Sequence, residues 1–196
     1  MQRRGPADTG ALTGRRMAAG EAQGYSAVAR TFHWVTAALV LTMLPIGIAI
    51  ATFDLGPAVE DPLYHIHRSM GALILVIVLA RLIYRVFNPA PPLPSDIPAL
   101  QQFAALFTHW ALYALLIVQP IVGWIATSAY RAPVLFFWLF ELPPIWQEDR
   151  PFSDAMFVAH RTMGIIIAVL ICVHIGAALY HQFIRKDRVL SRMVSG

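Results

Sequence analysis

HRSMGALILVIVLA (67–80) returns further along the chain as HRTMGIIIAVLICV (160–173). Each copy opens with His-Arg, a hydroxyl residue and Met-Gly, and each runs straight into an apolar stretch. A helix needs about 20 apolar residues to cross about 30 Å of hydrocarbon. Four segments meet that length, at 31–53, 65–87, 105–128 and 155–183. Lipid offers no partner to backbone N–H or C=O, so each segment has to be a helix. Composition agrees: 58% of the 196 residues are hydrophobic and 13% charged, against roughly 25% charged in soluble domains. The fold class is all-α, a transmembrane four-helix bundle formed by 28–196, preceded by a Gly-, Ala- and Arg-rich tail at 1–27 that reads as disordered.

The pI near 9.6 reflects orientation rather than nucleic-acid binding. Arg3, Arg4, Arg15, Arg16, Arg30, Arg81, Arg85, Arg185, Lys186, Arg188 and Arg192 fall toward one side, against Arg68, Arg131, Arg150 and Arg161 toward the other. The side richer in Lys and Arg belongs in the cytoplasm, which places both termini there. NPAPPLPSDIP (88–98) is then an extended inner connector. The outer loop at 129–154 is rich in aromatics suited to the headgroup layer and reads as a short interfacial helix.

The first and third helices also match. FHW (32–34) and THW (108–110) are each followed by a proline, Pro45 and Pro120, and the chain reads as two duplicated hairpins. The single cysteine, Cys172, forms no internal disulfide, and the absence of Cys-x-x-Cys-His excludes covalent haem attachment. No phosphate-binding loop or hydrolytic triad is present. His65 and His67 form a His-x-His pair, but a helix turns about 200° between them, which disfavours a chelating metal site.

Seven histidines lie in or beside these helices. Ionisable groups in a membrane helix are costly and usually functional. His160 and His174 are 14 residues apart, a rise of about 21 Å and a rotation within about 40° of four full turns. His67 matches His160 in depth near the outer face, and His33 roughly matches His174 near the inner face. Two haems stacked across the membrane, each held by two neutral imidazoles, suit this pattern. Arg68 and Arg161 are placed to meet haem propionates, and Gly71 and Gly164 to clear space one turn below His67 and His160.

The chain resembles the bacterial cytochrome b561 family over about residues 28–194. RTFHW (30–34), HRSMG (67–71), ARLIYRVFNPAPPLP (80–94), the HW…YALLIVQPIVG run (109–123), His160 with His174, and HQFIRKDRVLSRM (181–193) carry the likeness. The resemblance implies a multi-pass protein of the bacterial inner membrane with two haems b. Their axial ligands would be His67 with His160, and His33 with His174. It also implies electron exchange with ubiquinone, with superoxide oxidised outside as one activity of the family. A respiratory anchor fed by a partner dehydrogenase is the other form the family takes. Arg68 and Arg161 are then candidates to capture the anion. His109 is a candidate quinone contact or proton carrier, since quinone reduction consumes protons. His109, the repeat counterpart of His33, and His181 remain alternatives to His174.

The charge count makes a direct prediction. A fluorescent reporter fused to either terminus folds and fluoresces in the cytoplasm, and a reporter active only outside stays silent at both. Opposite results at the two ends require an odd number of crossings.

Overall fold

The computed structural model describes residues 24–195. Four long helices carry the fold: α1 (Ala27–Thr52), α2 (Pro57–Phe87), α3 (Ala99–Tyr130) and α4 (Arg150–Tyr180), the last continued by a π-helical turn at His181–Arg185. All four are long and apolar enough to cross a membrane. Each starts before the span predicted from hydropathy, because turn and capping residues, not apolarity, set where a helix begins. Ser26 accepts from Ala29 N at the start of α1, and Asp149 accepts from Phe152 N at the start of α4. Pro57 and Pro151 sit in the first turns of α2 and α4, where no N–H is needed. The tail expected at 1–27 lies, up to residue 23, outside the described residues. Ser26 and Ala27 already belong to the cap and first turn of α1.

Packing follows the hairpins. α3 lies along α4, α1 along α2, and α2 joins the two pairs through α3. Val40, Ile74, Val78 and Tyr113 form the buried centre, with Leu44, Leu116 and Ile117 against it. The outward faces are apolar and exposed, as at Val76, Ile83, Val158 and Ile165. Such faces suit hydrocarbon and not water.

The ends differ. At the end that carries both described chain ends, Tyr25 N donates to Arg192 O (3.2 Å) and Trp34 Nε1 to Met193 O (3.0 Å). Arg192 donates to Pro92 O (2.9 Å), so the short helix α5 (Ser191–Val194) ties α1 to the proline connector. Beside it, Asp187 accepts from His181 Nδ1 (2.6 Å), Val189 N (3.0 Å) and Arg185 Nε (3.2 Å). Partial burial alone would raise this carboxyl; those hydrogen bonds outweigh it and hold Asp187 below its usual value.

At the opposite end, the loop forms a β-hairpin, not the interfacial helix expected from its aromatics. β1 (Val134–Phe136) pairs antiparallel with β2 (Phe140–Leu142). Phe137 and Trp138 take positive φ in the turn, 45° and 60°, a conformation that ordinarily favours Asn or Gly. The fold holds it from below. Ser69, fully buried, accepts from Phe137 N (2.8 Å) and donates toward Leu135 O and His65 O (both 2.8 Å). Thr162, its counterpart in the repeat, is exposed and bonds only its own helix at Val158 O. The single difference between the two pentapeptides is therefore where the hairpin docks. Ser69→Ala leaves Leu135 O and Phe137 N short of a partner and destabilises by about 1–3 kcal/mol, whereas Thr162→Ala stays within about 0.5 kcal/mol. Thermal unfolding in detergent measures the difference; equal effects would remove Ser69 as the anchor.

Candidate functional site

The bundle holds its polar side chains at two levels. At the hairpin end, His67 of α2 faces His160 of α4 with ring centroids 6.0 Å apart. At the terminal end, His33 of α1 faces His174 of α4 at 6.2 Å. His109 of α3 joins that second level, 5.3 Å from His174. His65 lies under the hairpin with its ring 5.8 Å from Trp138, and His181 is taken up by Asp187.

The duplicated hairpins are in strict register. Adding 76 carries His33, Met43 and Gly47 of α1 onto His109, Gln119 and Gly123 of α3; adding 93 carries His67, Gly71 and Arg81 of α2 onto His160, Gly164 and His174 of α4. Every helix thus has a pair 14 residues apart on nearly one face: His33 with Gly47, His67 with Arg81, His109 with Gly123, His160 with His174. The hairpin-side level reads Gly, His, Gly, His around the bundle. The terminal-side level reads His, Arg, His, His.

The glycines of the first level are needed there. A Cβ on Gly123 would stand 2.9 Å from His160 Cε1, and one on Gly47 3.1 Å from His67 Cε1. Gly71 and Gly164, assigned to clearance from the sequence, face other neighbours: Met43 Cε at 3.3 Å and Gln119 Nε2 at 3.4 Å. Gly47 and Gly123 were overlooked, although their 14-residue distance from a histidine was available to find them. Gln119 was overlooked too. Its side-chain amide N–H donates to His160 O (2.9 Å), and its main-chain carbonyl oxygen accepts from His160 Nδ1 (3.1 Å). This two-way clasp leaves the Nε2 lone pair of His160 free, the arrangement common in metal-bound histidine.

Arg68 turns away from the bundle axis, donating to Pro133 O (2.9 Å) and lying over the Tyr64 ring. Arg161 is exposed. Arg81, counted from the sequence only toward the sidedness of charge, lies within α2. Its guanidinium donates to His33 Nδ1 (3.2 Å) and sits over the Tyr113 ring.

The model for prokaryotic cytochrome b561 matches residues 24–196. The chain belongs to that family. It is 32% identical over 175 residues to cytochrome b561 homolog 2 of Escherichia coli strain K12, covering 87% of this chain and 90% of that protein. It is 29% identical over 175 residues to the probable superoxide oxidase CybB of Yersinia pestis, covering 87% and 95%. A cytochrome b561 is a membrane electron-transfer protein, and membership implies haem b.

The residues present fit that group. With a metal–nitrogen bond of about 2 Å and a further ~1.2 Å to each ring centre, two axial imidazoles stand about 6 Å apart. His67 with His160 and His33 with His174 both meet that spacing. His67 Nδ1 is buried without a hydrogen-bond partner among the described residues; Gly123 leaves no room for a methyl group against the His160 ring, and Gly47 leaves little against that of His67. Gly123→Ala should therefore displace His160, and a haem held between His67 and His160 would be lost with it. Gly176→Ala, with open space at its Cβ, should leave the visible spectrum unchanged. Full haem content in Gly123→Ala would show that His160 needs no such clearance.

Proposed function

We propose that the chain binds two haems b, one between His67 and His160 and one between His33 and His174, and passes electrons between an outer substrate and the quinone pool. The observation that carries this reading is the pair of facing imidazoles at each of two depths. Haem bound there supplies reversible one-electron storage. The helices fix the depth of each ligand, Gln119 orients His160, and the apolar layer around Val40, Ile74 and Leu116 excludes water between the levels.

The terminal end is the cytoplasmic one in this reading, so the hairpin faces outward in a bacterial inner membrane. The outer substrate is superoxide, which gives up one electron and leaves as O2. Likeness to a probable superoxide oxidase supports this. Exposed Arg161 offers an anion a local positive charge, although Asp54, Glu60, Asp61, Glu141, Glu148, Asp149 and Asp154 make the surrounding surface acidic. Ubiquinone is reduced at the inner end. His109, beside His174 and Trp110, is placed to carry a proton to it.

One observation favours a second reading, a cytochrome b anchor for a partner dehydrogenase. The hairpin tip exposes Trp138, Leu139 and Phe140, the kind of surface on which a protein partner docks.

Haem per chain and the reduced-minus-oxidised spectrum test the assignment. His67→Ala or His160→Ala should remove one haem, and His33→Ala or His174→Ala the other. Half-loss in His109→Ala with full haem in His174→Ala would overturn the inner pair. With both haems intact, His109→Ala should slow quinone reduction. Replacing Arg68 and Arg161 together by Gln should slow superoxide consumption in a salt-dependent way, and an unchanged rate removes the steering role. Activity of the purified chain alone separates the oxidase from the anchor.

A further inference from the structure

Arg81 and Arg85 remain outside the roles given so far. Both belong to α2, one turn apart, within a helix apolar enough to cross the membrane. A guanidinium stays charged in any protein environment, and a charge inside a membrane bundle is retained for a reason. Arg81 is the pseudo-symmetric counterpart of His174, so it occupies a position where the other hairpin carries a ligand. Its Nη2 lies 3.2 Å from His33 Nδ1, and its guanidinium is 5.1 Å from the centre of the Tyr113 ring. Arg85 lies 5.8 Å from the same ring and 5.9 Å from that of Trp110.

No carboxylate neutralises either arginine among the described residues. The ion pairs there are Arg131–Glu148, Arg185–Asp96, and Asp187 with His181 and Arg185. At the hairpin-side level no arginine takes one of the four inward positions, although Arg68 lies next to His67 in the chain. Those positions are Gly47, His67, Gly123 and His160, and Arg68 is directed to Pro133 O beneath the hairpin. The charge along the bundle axis is therefore lopsided.

We propose that Arg81, assisted by Arg85, holds the inner haem at a higher reduction potential than the outer one and so sets the direction of electron transfer from outside to inside. This rests on the two-haem reading above. Reducing haem iron adds one electron, with no bond made or broken at the imidazoles. A fixed cation beside the ligand stabilises the reduced form. Arginine can only donate, so His33 Nδ1 is the acceptor in this contact. Were His33 to hold the group through Nε2, its ring proton would sit on Nδ1. The guanidinium, held over Tyr113, would then lose an acceptor but keep its charge. Arg81 acts by its fixed charge beside the His33 ring and is a tuning residue rather than a catalytic one.

A redox titration of the full-length, haem-loaded protein, followed in the visible spectrum, tests this. The wild type should titrate in two steps. Arg81→Gln should move the higher step down and leave the lower one in place; Arg81→Lys, which keeps the charge, should restore most of the shift. Arg85→Gln should give a smaller fall in the same step. Two intact steps with unchanged midpoints in Arg81→Gln overturn the proposal, as does equal behaviour of the Gln and Lys variants. If Arg81→Gln loses its inner haem, Arg85→Gln and Arg81→Lys decide: unchanged in Arg85→Gln, or lowered in Arg81→Lys, overturns it. A wild type with a single haem per chain overturns the two-haem reading instead.

Discussion

Hydrocarbon offers no hydrogen-bond partner, so each polar group in a spanning helix has to find one inside the bundle. That constraint organises this structure. The histidines turn inward, and with Arg81 and the glycines they gather at two depths. Between these levels each helix contributes a residue seven positions from both: Val40, Ile74, Leu116 and Ile167. Val40, Ile74 and Ile167 are buried, and Leu116 packs against the first two. The result is two polar floors separated by an apolar one, a layout suited to holding charge carriers apart while excluding water.

The two floors are built differently from related parts. The hairpin-side floor uses glycine on α1 and α3 and lets the rings of α2 and α4 fill the space. The terminal-side floor has histidine where the other has glycine, and arginine in place of one histidine. Duplication therefore supplied the scaffold, and later divergence at single positions gave the halves distinct chemistry. Ser69 and Thr162 show the same process at the surface. A buried hydroxyl became the anchor of the outer hairpin, and its twin stayed an ordinary helix residue.

Much of this was legible in the chain. Hydropathy located four helices because lipid imposes length and apolarity together, and the histidine spacing indicated two depths because helix geometry converts sequence distance into height and direction. Other features were hidden for physical reasons. The 129–154 loop carries Phe and Trp where a hairpin turn ordinarily uses Asn or Gly, so its local signal pointed elsewhere; a long-range bond from Ser69 decides its form. Arg81 entered the sequence reading only as one charge on one side, because counting positive charges ignores which face of a helix they occupy. Gln119 matters through its main chain and its amide together, which no motif encodes. The pairing of Gly47 and Gly123 with histidine rings needed the helices laid side by side.

The common 14-residue interval also limits how this chain can change length. Inserting one residue between the levels of any helix rotates everything beyond it by about 100° and lifts it by about 1.5 Å. A ligand or its glycine would then face lipid. Compensation would require matching insertions in three other helices at once. The four long helices are thus coupled in length, and residues can be added without shifting either level only in the connections: the proline linker, the hairpin and the chain ends.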